Sequence, residues 1–283
     1  MKTLNYLFVT VTLLANFLYG QSNNLENYFS IQPSEIENKN SEPQEYKVTL
    51  KWQSLDAINS SLFNCNAVQA DYKYGLDNGF VNWRNVYIST IENFQQPVGV
   101  GNKLNTFDGF TYQPFSDDFL KEGFYKNIDA EQRDLAQWLV SDAMQMHGIG
   151  TMFFDSLTFN KEFYPSLMNN YNIQFENGVL FKSKYQKLLW TGISEYNDEI
   201  CAIVKFESLY NPLEMDTPEM SLKGRSLYWG EFRISLEDKQ VEYAAMVEDI
   251  IFKLKSAAFP QEQLVDLQRE ITFNKIQYSS DAK

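Results

Sequence analysis

The chain has 283 residues, with 37 acidic side chains against 24 basic ones and a formal charge of −13 at pH 7. This charge argues against a nucleic-acid partner, because contacts to the phosphate backbone need clustered Lys and Arg. One His and two Cys are too few for a zinc site of the usual kind. An apolar fraction of 44% excludes a disordered chain and is enough for a substantial core, in one large domain or two small ones.

Residues 1–20 have the pattern of a secretory signal peptide. Lys2 supplies a positive charge, residues 4–18 are mostly apolar, and Gly20 precedes Gln21 at the expected cleavage point. No later stretch approaches the ~20 apolar residues of a membrane-spanning helix. We therefore expect an exported protein of the periplasm, the cell envelope or the exterior, with no stable transmembrane span after signal removal. The Gly-Gln junction resembles that of exported proteins from Bacteroidetes-type bacteria.

The next part of the chain predicts a polar segment followed by a single domain. Residues 21–44 are rich in Asn, Glu and Ser, which predicts a flexible N-terminal segment ahead of a domain at residues 45–283. Residues 46–53 alternate between apolar and polar side chains, which is the pattern of a half-buried strand. Ser54 can cap a short helix after that strand.

A strand pair and a helix are predicted next. Residues 71–90 contain Asp77-Asn78-Gly79, a tight-turn signal because Asn and Gly tolerate positive φ. The clearest helix spans Asp129 to His147, where apolar residues recur at helical spacing and Gly148 provides a stop. At that position the imidazole of His147 would interact with the helix dipole. We therefore interpret His147 as a helix-end residue and not as a catalytic base.

The second half of the chain has the pattern of an antiparallel meander. Turn signals at Asn177-Gly178, at Asn197-Asp198 and at residues 237–239 separate long alternating runs. Residues 240–255 fit either a helix or a strand, and the short turn before them favours a strand that continues the meander. Residues 265–273 alternate and predict a last strand, although a helix could instead start at Pro260.

Export would permit a disulfide bond between Cys65 and Cys201. The loop that it would close is long, and the chain-entropy model allows about 4–5 kcal/mol for such a bridge. The alternative is two buried free thiols, because Cys is among the most buried residue types. The sequence leaves both alternatives open.

The sequence contains no complete catalytic or metal-binding motif. Gly192-Ile-Ser194-Glu-Tyr lacks the final Gly of a nucleophile elbow, and there is no calcium-loop pattern. A glycosidase needs two carboxylates about 5–10 Å apart, but Glu207, Glu231 and Glu248 each have the pattern of a solvent-facing strand residue. We predict no metal and no cofactor, and the balance is against an enzyme.

These elements together predict an α+β domain, in which a large curved antiparallel sheet forms a half-barrel-like meander with a few helices packed on one side. The outline resembles the periplasmic lipoprotein carriers of the LolA/LolB type over residues 170–275, on strand order and pattern. The resemblance implies that the half-barrel holds acyl chains beneath its helices. No functional residues of that family are carried across.

On this basis we expect an exported, non-catalytic protein that binds an apolar or lipid-like ligand in the concavity of its sheet. In the alternating register that concavity would be faced by four side chains, those of Phe206, Tyr228, Phe232 and Ile234. One alternative is a secreted carbohydrate-active enzyme or sugar-binding module, whose aromatic side chains stack on sugar rings. Another is a structural or interaction protein of the cell envelope.

Overall fold

The structure is a computed structural model, and it describes residues 26–76, 79–121, 123–169, 171–175, 178–256 and 259–277. The predicted signal peptide at residues 1–20 and the predicted turn residues Asp77, Asn78 and Asn177 lie outside these ranges. Within them, the chain forms a 13-stranded antiparallel sheet, one α-helix and several short 3-10 turns.

The strands of this sheet range from two to 18 residues in length. In chain order they are β1 (Gln44–Asp56), β2 (Leu62–Leu76), β3 (Phe80–Thr90), β4 (Asn102–Lys103), β5 (Phe110–Tyr112), β6 (Glu162–Phe163), β7 (Asn172–Gln174), β8 (Leu180–Lys182), β9 (Lys187–Tyr196), β10 (Glu199–Asp216), β11 (Met220–Ser235), β12 (Val241–Ser256) and β13 (Phe259–Lys275). The 3-10 turns are Glu26–Ser30, Pro33–Glu35, Asn105–Phe107, Asp117–Leu120, Ala130–Gln132, Phe154–Ser156 and Ser166–Met168.

The strand order is β4-β3-β2-β1-β13-β12-β11-β10-β8-β7, and among the described residues the two ends of this order do not pair with each other. β10 is shared by two partners, since its first part pairs with β9 and its last part with β8. β9 in turn pairs with β6, and β3 pairs with β5. The predicted fold class is therefore confirmed: the protein is α+β, with a large curved antiparallel sheet.

Alternation along the strands gives the sheet two faces. Val48 and Leu50 of β1 lie opposite Phe273 and Ile271 of β13, and all four side chains are at most 1% exposed. Directly opposed residues share a face. We call this side the inner face, because the helix and the main hydrophobic core lie on it. The intervening residues of each strand belong to the outer face.

The α-helix, α1, spans Arg133–Met152, so the predicted helix is confirmed with both ends shifted. Asp129 makes no side-chain capping bond and precedes the turn Ala130–Gln132. Gly148 does not end the helix. The helix continues because Gly150 in its last turn packs on the sheet, and tertiary contacts of this kind outweigh a local stop signal.

The short helix predicted after Ser54 is wrong. β1 continues to Asp56, and a turn at residues 57–60 joins it to β2. Backbone amides of that turn donate hydrogen bonds to Asp56 Oδ1. Pairing with two neighbouring strands outweighs the weak local preference for a helix.

The two ambiguous segments near the end of the chain are both strands. β12 covers almost all of residues 240–255, and β13 includes all of residues 265–273. The predicted continuation of the meander is therefore confirmed, and no helix starts at Pro260.

Part of the segment before β1 packs on the domain. Tyr28 and Ile36 contact the core, and Pro33 is buried. The ring of Phe29 lies 4.3 Å from that of Phe159. The described part of the predicted flexible segment therefore contributes to the core.

Candidate functional site

The four residues predicted to face a ligand all lie on the inner face. The pairing of β10 with β11 places Phe206, Tyr228, Phe232 and Ile234 on one side of the sheet, as the alternation predicts. Each side chain is at most 3% exposed. All four belong to the main core, together with the buried side chains of α1.

Protein side chains fill the space around these residues. The rings of Phe206 and Phe232 stack with their centroids 4.6 Å apart. Gly230 makes this possible, because a Cβ at that position would lie 2.6 Å from the Phe206 ring. In α1, a Cβ on Gly150 would lie 3.3 Å from the Phe232 ring. The protein itself packs this part of the inner face, and ligand contact with the four residues stays a prediction.

His147 lies in the same region, inside α1 and not at its end. It is 3% exposed. Its ring stacks on Tyr74 with centroids 4.2 Å apart and meets Tyr46 edge-on at 5.2 Å. Burial lowers the pKa of His147 to about 3. The imidazole is therefore neutral near pH 7, and the predicted interaction with the helix dipole is wrong.

A row of polar residues crosses the inner face next to this core. Ser208, Tyr228, Glu248 and Arg269 lie directly opposite one another on β10, β11, β12 and β13. We call these four residues the polar row. Trp52 of β1 lies opposite Arg269 and extends the same line across the sheet.

Two carboxylates hold Arg269. Its Nη2 donates to Asp142 Oδ1 of α1 at 2.6 Å, and its Nε lies 3.0 Å from Glu248 Oε2. Ser226 donates its hydroxyl to Glu248 Oε1, and the Trp138 ring lies 5.0 Å from the guanidinium carbon. The charged side chains are 4–11% exposed. Asp142, Glu248 and Arg269 thus form a buried ion group that links the helix to the sheet.

The ion group has an excess of negative charge when all its members are ionised. Burial raises the pKa of Asp142 to about 6; Arg269 opposes this rise and Glu248 adds to it. Asp142 Oδ2 is buried without a hydrogen-bond partner. Burial also opposes the charge of Arg269, but the two carboxylates hold its pKa above the usual value. Asp142 therefore keeps its proton up to about pH 6 in the folded protein.

The expectation that Glu248 faces solvent is wrong, because it belongs to the ion group. Glu207 and Glu231 lie on the outer face, where their carboxylates contact Lys187 at 2.6 Å and Arg233 at 3.5 Å. The sheet separates Glu248 from the other two carboxylates. It therefore cannot act with either of them as a paired acid and base.

Beyond the polar row the inner face is again apolar. The side chains that continue it are Leu213, Met215, Leu222, Ile250, Phe252, Leu254, Val265 and Leu267. We call these eight residues the distal half, and the inner face on the side of α1 the covered half. Half of them are buried but retain 6–9% exposure, namely Leu213, Met215, Val265 and Leu267, and the other four are half-buried. None of the eight belongs to the core that includes α1.

The polar row was not predicted, although the sequence contains a signal for it. Glu248 interrupts an apolar alternation that runs from Ala244 to Leu254, and Arg269 interrupts one from Val265 to Phe273. A charged residue in the apolar phase of a strand needs a partner on the buried side. Two such residues on successive strands predict a buried ion pair.

Cys65 and Cys201 are both free and buried. They lie on β2 and β10, five strand spacings apart in the sheet, which is about 24 Å at the usual spacing. A disulfide needs Cα atoms within about 7 Å. The bridge is therefore wrong, and the alternative of two buried thiols is the one observed. Burial raises the pKa of Cys201 to about 12, which keeps it protonated.

Neither of two surface cavities is lined by a residue of the distal half. One, of about 310 Å³, includes Glu199, Glu242 and Lys275, and the other, of about 450 Å³, includes Lys47 and Asp71. Within the described ranges there is no group of three or more His, Cys, Asp or Glu side chains that could hold a metal ion. No helix in the part of the chain that the structure describes is long and apolar enough to span a membrane.

Neither a protein-family model nor a curated protein matches this chain. A functional assignment therefore depends on the geometry of the two faces of the sheet.

Proposed function

We propose that this protein is an exported, non-catalytic binding protein that holds an apolar or lipid-like ligand in the concavity of its sheet. The observation that carries the proposal is the distal half, which continues the apolar inner face beyond the core of α1. Contiguous apolar surface that is not fully buried costs free energy in water and often marks a binding site. The ligand would contact Phe252 and its neighbours.

The dimensions of the distal half support this assignment. Along β12 it extends from Ile250 to Leu254, and across the sheet it extends from β10 to β13. At the usual strand rise and spacing, it measures about 14 Å along the strands and about 14 Å across them. A surface of this size accommodates part of an extended acyl chain or a compact apolar molecule.

The polar row provides an inner limit for the ligand. The ion group is buried and hydrogen-bonded to Ser226, and displacing it would leave charged groups without partners. An apolar ligand on the distal half therefore ends at the polar row and does not enter the covered half.

Two features of the sequence are in keeping with this proposal. The strand order and alternation pattern of residues 170–275 resemble those of the LolA/LolB carriers, whose half-barrel holds acyl chains. The pattern of residues 1–20 is that of a signal peptide, which supports a location in the periplasm, in the envelope or outside the cell.

The proposal is tested by titrating the purified protein with cis-parinaric acid, a fluorescent fatty acid. We expect saturable binding to the wild-type protein. Phe252→Gln places a polar amide in the distal half and should raise Kd about tenfold, or about 1.4 kcal/mol. Leu227→Gln is the matched control, because Leu227 is half-buried on the outer face of the adjacent strand. Its Kd should equal that of the wild type.

A third variant separates the two halves of the inner face. Phe232→Leu changes a core residue of the covered half and should leave Kd unchanged. If Phe232→Leu weakens binding while Phe252→Gln does not, the ligand lies among the four residues first predicted. Absence of saturable binding to the wild type would contradict the proposed function itself.

A further inference from the structure

A second row of side chains crosses the outer face near one edge of the sheet. Lys187 of β9, Glu207 of β10 and Trp229 of β11 lie directly opposite one another. β6 and β9 are antiparallel and pair at Phe163 and Leu188. Tyr164 comes one residue after Phe163 and Lys187 one residue before Leu188, so these two lie beside each other. We call Tyr164, Lys187, Glu207 and Trp229 the outer row.

Ion pairs and a hydrogen bond order the centre of the outer row. Lys187 Nζ lies 2.6 Å from Glu207 Oε1 and 3.3 Å from Glu162 Oε1. Tyr164 donates its hydroxyl to Glu162 Oε2 at 2.8 Å. Two carboxylates and an ammonium group thus contact one another at the surface.

Aromatic side chains flank this polar centre and remain accessible to solvent. Tyr164 is 52% exposed and Trp229 is 42% exposed. Three strand spacings separate them, or about 14 Å. Leu209 and Tyr210, in the irregular part of β10 just after Glu207, are also about half exposed. The surface is therefore a shallow platform with aromatic ends and a polar middle.

We infer that the outer row is a binding site for a neutral carbohydrate. The negative face of an aromatic ring attracts the polarised C–H groups on one side of a pyranose. Sugar hydroxyls both donate and accept hydrogen bonds, and the ordered carboxylates and ammonium group of the centre supply acceptors and donors for them. The spacing of Tyr164 and Trp229 lets one short oligosaccharide contact both rings.

Charge and composition disfavour other classes of partner. Glu162, Lys187 and Glu207 together carry a net negative charge, in a chain whose formal charge is −13. This disfavours nucleic acid and anionic lipid surfaces, which need positive patches. The centres of protein–protein interfaces are depleted in Lys and Glu, which are the residues at the centre of this platform. The site lies on the opposite face from the proposed apolar site and does not depend on it.

Affinity electrophoresis of the intact protein tests this inference, in gels that contain laminarin, xylan, galactomannan or soluble starch. We expect at least one polysaccharide to retard the wild-type protein. Trp229→Ala and Tyr164→Ala should each weaken that binding about tenfold. Phe63→Ala is the control, because Phe63 is an aromatic residue of similar exposure, 49%, outside the outer row. It lies at the start of β2, just after the turn that joins β1 to β2. This variant should be retarded like the wild type.

Both key side chains are exposed, so their loss should leave the fold intact. Unchanged thermal unfolding of Trp229→Ala and Tyr164→Ala checks this directly. The inference would be overturned if none of the four polysaccharides retarded the wild-type protein. Equal retardation of Trp229→Ala and wild type would overturn it too, as would capture of a protein partner through Trp229 in place of a polysaccharide.

Discussion

The covered half and the distal half of the inner face are built by the same strands with the same alternation, yet they are buried to different extents. Phe232 and Ile234 are fully buried in the core that includes α1, whereas Phe252 and Leu254 are half-buried outside it. Alternation thus determines which way a side chain faces, and packing above the sheet determines whether it becomes core. One continuous face can carry both a core and a binding surface.

The polar row is the boundary between these halves. Buried ion groups add little stability over apolar residues of the same size. The role of this one is geometric, because Asp142 can reach Arg269 only when α1 lies in one position over β13. The row therefore determines how far along the strands the helix covers the sheet.

The largest expected effect is a difference in stability between variants of the two halves. Phe232→Ala leaves a cavity in the covered half and should lower the free energy of unfolding by about 3–5 kcal/mol. Phe252→Ala removes a half-buried ring and should cost about 1 kcal/mol. Urea denaturation of both variants measures the difference. Equal losses would contradict the division of the inner face.

The next effect tests the boundary. Arg269→Met leaves Asp142 and Glu248 buried without their cation. Loss of one partner from a buried ion pair costs about 3–5 kcal/mol. We expect a loss of about 3 kcal/mol in the free energy of unfolding at pH 7, since Glu248 still accepts a hydrogen bond from Ser226. Lys205→Met is the control, since Lys205 is exposed on β10, and should change stability by less than about 0.5 kcal/mol. A small loss for Arg269→Met in urea denaturation would mean that the ion group is solvated.

Asp142 predicts a pH dependence at the same boundary. The folded protein keeps a proton on Asp142 up to about pH 6, while the unfolded chain releases it near pH 4. The folded state binds more protons between these values, so the contribution of Asp142 falls as pH rises, by about 3 kcal/mol in total. Relative to wild type, Asp142→Asn should therefore gain about 3 kcal/mol in free energy of unfolding from pH 3 to pH 7.

The control for this experiment is Glu131→Gln, which removes an exposed carboxylate just before α1. It should give no comparable change across the same pH range. A constant difference between Asp142→Asn and wild type would show that Asp142 is not desolvated.

His147 in the covered half predicts a smaller effect of opposite sign. The unfolded chain takes up a proton on His147 near pH 6.5, whereas the buried ring stays neutral until about pH 3. The neutral buried ring of His147 therefore contributes fully to the free energy of unfolding above pH 6.5. This contribution decreases as pH falls and is lower by about 2 kcal/mol at pH 5. His147→Phe keeps a ring beside Tyr74 and removes the titration. Its stability relative to wild type should rise by about 2 kcal/mol from pH 7.5 to pH 5, and a flat difference would contradict burial of a neutral ring.

Local signals predicted the hairpins and the faces well. Asn197 and Asp198 adopt φ of 53° and 60°, the conformation that their type favours in a tight turn. Alternation placed Phe206 and Phe232 on one face because a strand has a period of two. These features depend only on residues close together in the sequence.

The features that the sequence did not predict depend on distant partners. Gly148 is a helix-stop signal, but contacts of Gly150 with Phe232 carry α1 past it. The polar row exists because the registers of β11, β12 and β13 align Glu248 with Arg269, and no single strand encodes a register. The same holds for the outer row, which four strands assemble.

The pairing of β1 with β13 has a consequence for how the protein is made. It joins the first and last long strands in the middle of the sheet, between a ribbon of β1 to β3 and a ribbon of β10 to β13. Each ribbon can form from neighbouring strands, but their union joins strands that lie about 200 residues apart in the sequence, and contacts of such long range form slowly. Until β13 has been synthesised, the edge of β1 that pairs with it has no partner strand. The sheet is therefore completed by one of its latest strands.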